Sequence, residues 1–197
     1  GFVYLGDRFF YLGDRASYNL ARGEIFSFNL NARYRFAALE PEDEPEFSTL
    51  NPRDGELEAG FGLNAVTPFG FFTTRINADV SGQSHGFLAN ATWFLPYYKK
   101  GLLIMPAIGF SWYDSSFSNY YYGGVTPEEA NPLIPAFDTG STTSLNGIFV
   151  VGYRFSPHWF VTGGATYSRL SNNVEDSPIL LSRNETILFS AVGYIWE

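Results

Sequence analysis

Residues 26–36 read Phe26-Ser27-Phe28-Asn29-Leu30-Asn31-Ala32-Arg33-Tyr34-Arg35-Phe36. Phe26, Phe28, Leu30, Ala32, Tyr34 and Phe36 share one face, and Ser27, Asn29, Asn31, Arg33 and Arg35 share the other. A period of two is the period of a strand, because successive side chains point to opposite sides of a sheet. Soluble strands usually run about 5–6 residues. A strand that crosses the hydrocarbon of an outer membrane needs roughly 9–11 tilted residues, apolar toward lipid and polar toward the interior. This stretch meets both requirements.

The pattern recurs outward from it. Residues 56–66 set Leu57, Ala59, Phe61 and Leu63 against Glu58, Gly60, Gly62 and Asn64. Residues 69–80 set Phe72, Ile76, Ala78 and Val80 against Arg75, Asn77 and Asp79. Further alternating stretches lie at 87–95, 102–112, 145–155 and 159–168. A last strand near 185–196 is apolar on both sides in places, which leaves its facing open. Before residue 24, strands are expected near 1–12 and 15–22, with a break in the first at Gly6-Asp7 as the alternative. The one helix-like stretch, Thr126-Pro127-Glu128-Glu129-Ala130, has a capping Thr and a Pro at the first helical position. It predicts at most a turn or two inside a loop.

The connections alternate in length. Those at 38–55, 114–143 and 169–184 are long, whereas 22–24, 67–68, 97–101 and 156–158 are tight or short. Membrane barrels keep short periplasmic turns and longer outside loops. With the last strand descending to the periplasm, every long loop falls outside. The expected fold is therefore all-β: a closed antiparallel transmembrane β-barrel occupying 1–197 as one domain. It has about ten strands in this chain, and twelve if strand material precedes Gly1. Closure is required in hydrocarbon, because an open edge would leave N–H and C=O groups without partners.

Composition narrows the function. Aromatic residues make up 19% of the chain, and Tyr and Trp favour the bilayer interface. There are no cysteines, which excludes disulfides and thiolate-held metals. Twelve Lys plus Arg against 20 Asp plus Glu give a formal charge of -8, which argues against a nucleic-acid partner. No run of the roughly 18 apolar residues that a spanning helix needs occurs.

The alternation turns Arg33, Arg35, Glu58, Arg75, Asp79 and Arg154 toward the interior. Charges in such a place need partners. They form either an ion-pair and amide network that holds the wall together, or the lining of a charged passage or ligand site. Phe9-Phe10-Tyr11, Tyr97-Tyr98 and Trp112-Tyr113 fit interface girdles. Tyr120, Tyr121 and Tyr122 lie in the longest loop, folded over the mouth or offered to a partner. The acids from Glu40 to Glu46 attract cations or simply solvate their loop, and no calcium-loop spacing is present. No metal site, cofactor or catalytic residue is expected. A rim pair of Ser84 and His85 is the weakly supported exception, because a base needs an orienting group as well as adjacency.

Several pieces together resemble the MipA/OmpV family. They are Arg8-Phe9-Phe10 followed by Asp14-Arg15-Ala16-Ser17-Tyr18, then Gly82-Gln83-Ser84-His85-Gly86, and then Tyr121-Tyr122-Gly123-Gly124-Val125-Thr126-Pro127. Ala136-Phe137-Asp138 and Tyr167-Ser168-Arg169-Leu170 leading to Asp176-Ser177-Pro178 complete the set. The resemblance spans nearly the whole chain. The chain departs from the family in ending Trp196-Glu197, where members usually end on Phe or Tyr-x-Phe.

The resemblance implies an integral outer-membrane protein of a Gram-negative bacterium, with its C-terminus periplasmic and lipids and lipopolysaccharide around it. It also implies a non-enzymatic scaffold or assembly component linked to peptidoglycan-remodelling proteins, with a lytic transglycosylase among possible partners. A narrow channel or small-ligand uptake barrel is the alternative, resting on the charged interior.

Overall fold

The computed structural model describes residues 3–41 and 47–195. Its strands are β1 (Val3–Leu5), β2 (Phe9–Leu12), β3 (Arg15–Arg22), β4 (Phe26–Arg35), β5 (Glu56–Thr67) and β6 (Gly70–Asp79). They continue with β7 (Phe87–Phe94), β8 (Tyr97–Lys99), β9 (Leu102–Tyr113), β10 (Thr142–Arg154), β11 (Trp159–Leu170) and β12 (Asn184–Tyr194). One helix, α1 (Ser115–Tyr121), and a short 3₁₀ turn (Asn172–Val174) interrupt the loops. Each strand pairs antiparallel with the next along the path β1 to β7 and β9 to β12.

β8 also pairs with β9, in the register already set by β7. Together β7 and β8 act as one long strand, in which Leu95 N–H still donates to Pro106 O and the ladder lapses at Pro96 opposite Met105. Proline has no N–H to give to a ladder. The sheet thus has eleven strands along its path rather than about ten. The extra one arises because the first segment does break at Gly6, whose N–H donates to Phe9 O and closes a hairpin between β1 and β2.

The sheet curls. A single cavity touches Arg15 on β3, Arg75 on β6, Asn146 on β10 and Glu185 on β12, so distant strands face one another across a common interior. No pairing joins β1 to β12 among the described residues. The facing of β12 is settled by its register with β11. Leu188 lies opposite Ala165 and Val192 opposite Val161, on the outer face, while Ile187 and Phe189 turn inward.

Burial in this molecule runs opposite to that of a soluble domain. Tyr34, Leu57, Phe61, Ile76, Trp93, Ile108, Phe110 and Phe149 are exposed on the strands, while Asn29, Asn31, Glu58, Thr73, Asn77, Ser111 and Ser144 are buried on them. Of the buried apolar residues Leu50, Leu88, Phe117, Val125, Ile134 and Val174, only Leu88 sits in a strand. A water-soluble fold puts its apolar side chains inside. A membrane barrel turns them to lipid and fills its interior with polar groups.

The long connections at 36–55, 114–141 and 171–183 leave one end of the sheet, and the tight turns at 23–25, 68–69, 100–101 and 155–158 leave the other. Lys100 and Gly101 both have positive φ, 50° and 85°, as a two-residue hairpin turn of matching twist requires. The strand β3 carries a bulge between Asn19 and Ala21, which returns Arg22 to the concave face opposite Ser27.

Candidate functional site

Two regions combine polar chemistry with enclosed space. One is the concave face of the sheet and the other is the layer of loops at its long-loop end.

On the concave face, Arg33 Nε lies 2.8 Å from Asp14 Oδ2, and Arg35 Nη2 lies 2.7 Å from Glu58 Oε1. Asn77 donates to the other oxygen of Glu58 at 3.4 Å. Arg15 and Arg75 face the same interior and form no ion pair among the described residues. Asp79 is turned away from the arginines. Its carboxylate accepts from the N–H groups of Ser81, Gly82 and His85 and from the Ser81 hydroxyl, so it organises the 80–86 loop. Arg154 stays at the opposite end, donating to the carbonyls of Ser156 and Pro157 within its own turn. The structure therefore brings Arg33, Arg35, Glu58 and Arg75 to one interior and leaves Asp79 and Arg154 at its two rims. The sequence reading missed Asp14 and Arg15. Their signal was present as the Gly13-Asp14 turn, which lifts Asp14 beside Arg33.

Two cavities among the described residues open on the interior. The larger, about 920 Å³, is lined by Arg15, Arg33, Arg35 and Arg75 together with polar groups such as Asn90 and Asn146. The second, about 610 Å³, lies toward the tight-turn end and is again lined by Arg15 and Arg75.

The loop layer closes over the long-loop end. Asp114 caps α1 by accepting from Phe117 N at 2.9 Å. An Asp before Ser115-Ser116-Phe117, with Phe117 and Tyr121 four apart, was the signal that would have found this helix. The Thr126 stretch forms only a single turn, with Ala130 N donating to Thr126 O. Phe117 is almost fully buried and stacks on Tyr113, its centroid 4.9 Å away. The Arg35 guanidinium lies over the rings of Phe117 and Tyr121, at 4.7 and 5.2 Å. Such contacts gain in strength where water is excluded.

Gly86 makes this seat possible, since a Cβ there would come within 2.6 Å of Phe117 Cβ. Tyr122 packs edge-on against Tyr113, Tyr121 donates to Asp54 O, and Tyr120 reaches Gln83 Oε1 at 3.5 Å. The three tyrosines thus pack within the loop layer at the long-loop end. Phe9, Tyr97, Tyr98 and Trp112 stand exposed as interface residues would, but Tyr113 turns inward.

Elsewhere in the loop layer, a small core of Leu50, Val125 and Ile134 packs with Leu39, Phe47, Ala130, Phe137 and Ile179. Arg53 pins it, with Nη1 2.8 Å from Glu129 Oε1 and its ring neighbour Tyr120 at 5.6 Å. Burial favours the neutral acid at Glu129. The Arg53 guanidinium and the N–H groups of Thr126 and Asn51 outweigh that and hold its pKa down at about 2. Most of the acidic stretch, residues 42–46, lies outside the described residues, as do Trp196 and Glu197. Ser84 Oγ accepts from Gly86 N, and no contact joins it to the exposed His85 among the described residues.

The family model described as MltA-interacting protein MipA matches residues 1–196. The MltA-interacting protein of Escherichia coli (strain K12) is 27% identical over 179 residues, which are 90% of this chain and 72% of that protein. The outer membrane protein OmpV of Vibrio cholerae serotype O1 is 24% identical over 172 residues, 87% of this chain and 66% of that protein. The outer membrane protein Omp26La of Vibrio anguillarum is 25% identical over 145 residues, 74% of this chain and 56% of that protein. No solved structure matches the chain.

Proposed function

The chain belongs to the MipA family, and from that premise we propose a non-enzymatic outer-membrane protein that docks an envelope partner at its tight-turn end. By analogy with the relative named for interacting with MltA, the partner is a lytic transglycosylase. The observation that carries the reading is the projecting hairpin. The strand formed by β7 and β8 leaves β6 after Phe94 and runs on to Lys99. Beyond Phe94 it carries exposed Tyr97, Tyr98, Lys99 and Lys100 and a backbone edge with no neighbour on the β6 side. Such an edge suits an added strand, with the tyrosines as anchors.

In this reading the sheet is closed in the membrane, with lipids and lipopolysaccharide against its outer face and the C-terminus periplasmic. Closure is supported by β12, where Leu188 is 78% and Val192 66% exposed along a bare edge, an arrangement untenable in hydrocarbon. Crosslinking in native membranes followed by affinity capture tests the docking reading. Capture of a transglycosylase that is lost in Tyr98→Ser combined with Lys100→Glu supports it. Recovery of free monomer alone, under conditions that preserve other membrane complexes, refutes it.

A second reading, solute passage, is favoured by the two interior cavities. Passage requires a continuous wet path and not polarity alone. Planar-bilayer conductance tests it, with no current above the empty membrane removing the open-channel form.

A further inference from the structure

Among the described residues, two arginines of the concave face stand beyond ion-pair distance of any carboxylate, although Glu56 and Glu185 face the same interior. Arg33 is matched by Asp14 and Arg35 by Glu58. That leaves Arg15 and Arg75. Arg15 lies directly opposite Arg33 in the β3–β4 ladder, where like charges repel. Arg75 lies opposite Gly62 on one side and Asn90 on the other, so no carboxylate is its cross-strand neighbour. Its Nε is buried with no hydrogen-bond partner among the described residues. Both side chains line the larger cavity and also the smaller one, so they stand where the two meet.

Leaving a guanidinium N–H buried without an acceptor is costly, and an anion removes that cost. The planar fork of Arg matches paired oxyanion oxygens. Asn90, which lines the same space, supplies a neutral donor for a remaining oxygen.

We propose that Arg15 and Arg75, with Arg33 on a strand between them, bind a small dianionic oxyanion solute in the interior of the sheet. Two guanidiniums beyond ion-pair distance of any carboxylate suit two negative charges, as a phosphate group or a short dicarboxylate carries. Arg15 and Arg75 each take one edge of the solute, and Arg33 remains held by Asp14. Because the site lies on the polar concave face and not on the apolar outer face, the solute is a soluble molecule rather than the headgroup of a lipid against that outer face. The site stands independently of the docking reading.

The test uses the full chain in detergent micelles, titrated calorimetrically with inorganic phosphate near pH 8, where phosphate is mostly dianionic. Chloride at matched ionic strength is the control for simple screening. The expected result is one saturable phosphate site that succinate displaces and that chloride does not fill. Arg15→Gln and Arg75→Gln each weaken it about tenfold or more, while Arg154→Gln, in the far turn, leaves it unchanged. Should Arg75→Gln not fold, Arg15→Gln against Arg15→Lys carries the comparison, with the Lys variant retaining more affinity. Absence of saturable phosphate binding by the wild-type chain overturns the proposal. So does unchanged affinity in a folded Arg15→Gln variant. Displacement by micellar lipopolysaccharide but not by succinate likewise refutes a soluble ligand. Partner capture plays no part in this readout, so the two proposals fail separately.

Discussion

Arg15 and Arg33 face each other across the β3–β4 ladder, and the carboxylate of Asp14 sits 2.8 Å from Arg33 at the lip of the same hairpin. Two cations thus share one anion in a partly enclosed space. The arrangement makes the signs of nearby substitutions calculable.

Asp14→Asn leaves Arg33 without its ion-pair partner opposite Arg15 and lowers stability by about 1 kcal/mol. Arg15→Gln removes the repulsion and raises stability by up to about 1 kcal/mol in the absence of added anion. Urea unfolding in a fixed detergent, followed by tryptophan fluorescence, measures both. Added phosphate narrows the gap between Arg15→Gln and the wild-type chain if the interior site is real.

Glu129→Gln removes the anion that holds Arg53 and leaves a buried guanidinium without its partner, at a cost of about 3 kcal/mol to the loop layer. The pH dependence has a definite sign. The folded pKa of Glu129 is about 2, below its ordinary value of 4.5. Its contribution is therefore complete above about 4.5 and is lost as pH falls toward 2. Hydrogen exchange of the amides of Asn51, Thr126 and Glu129 should speed up over that acid window in the wild-type chain. In Glu129→Gln the exchange should be fast throughout and should lack that step.

Gly86→Ala drives a methyl group into the backbone and Cβ of Phe117, which lie 2.6 to 2.8 Å from the Cβ position. The helix α1 must then lift from its seat. The expected loss is about 1–3 kcal/mol, as for overpacking generally, with faster hydrogen exchange confined to residues 114–125. Phe117→Leu keeps the Cβ, Cα and N that the methyl group meets, so the double variant should recover no stability over Gly86→Ala alone.

The chain contains no cysteine, so single cysteines report accessibility without background. Ser115→Cys and Asn172→Cys, both at the long-loop end, should react with an impermeant maleimide on intact cells. Lys99→Cys, at the tight-turn end, should react only after the outer membrane is opened. The reverse pattern overturns the proposed orientation.

The wall was legible in the sequence because its signal is a strict alternation written into each strand separately. Phe28 against Asn29, or Phe61 against Gly62, states which side is which without reference to any other segment. Loop-length parity added which connections share an end of the sheet. The interior was legible only as a list of side chains, since alternation fixes a facing but not a partner. Asp79 faces inward by period, yet the N–H groups of Ser81, Gly82 and His85 claim it first. Arg154 obeys the same period but lies too near its turn to join the others. Asp14 was hidden because a turn residue has no period at all. The helix α1 was hidden because a seven-residue element shows too few repeats, and its capping Asp114 was its clearest mark.

The core formed by Leu50, Val125 and Ile134 is built from loop residues alone and takes no side chain from the wall. The molecule accordingly has two independent answers to the problem of where apolar atoms go. One is dictated by the thickness of a bilayer and tolerates little change in strand length. The other is a miniature globule in water, answerable only to its own packing. Substitutions that preserve the fit among Leu50, Val125 and Ile134 can remodel the face that this end turns to its surroundings. The loop end can therefore change shape while the part that must fit the lipid stands still.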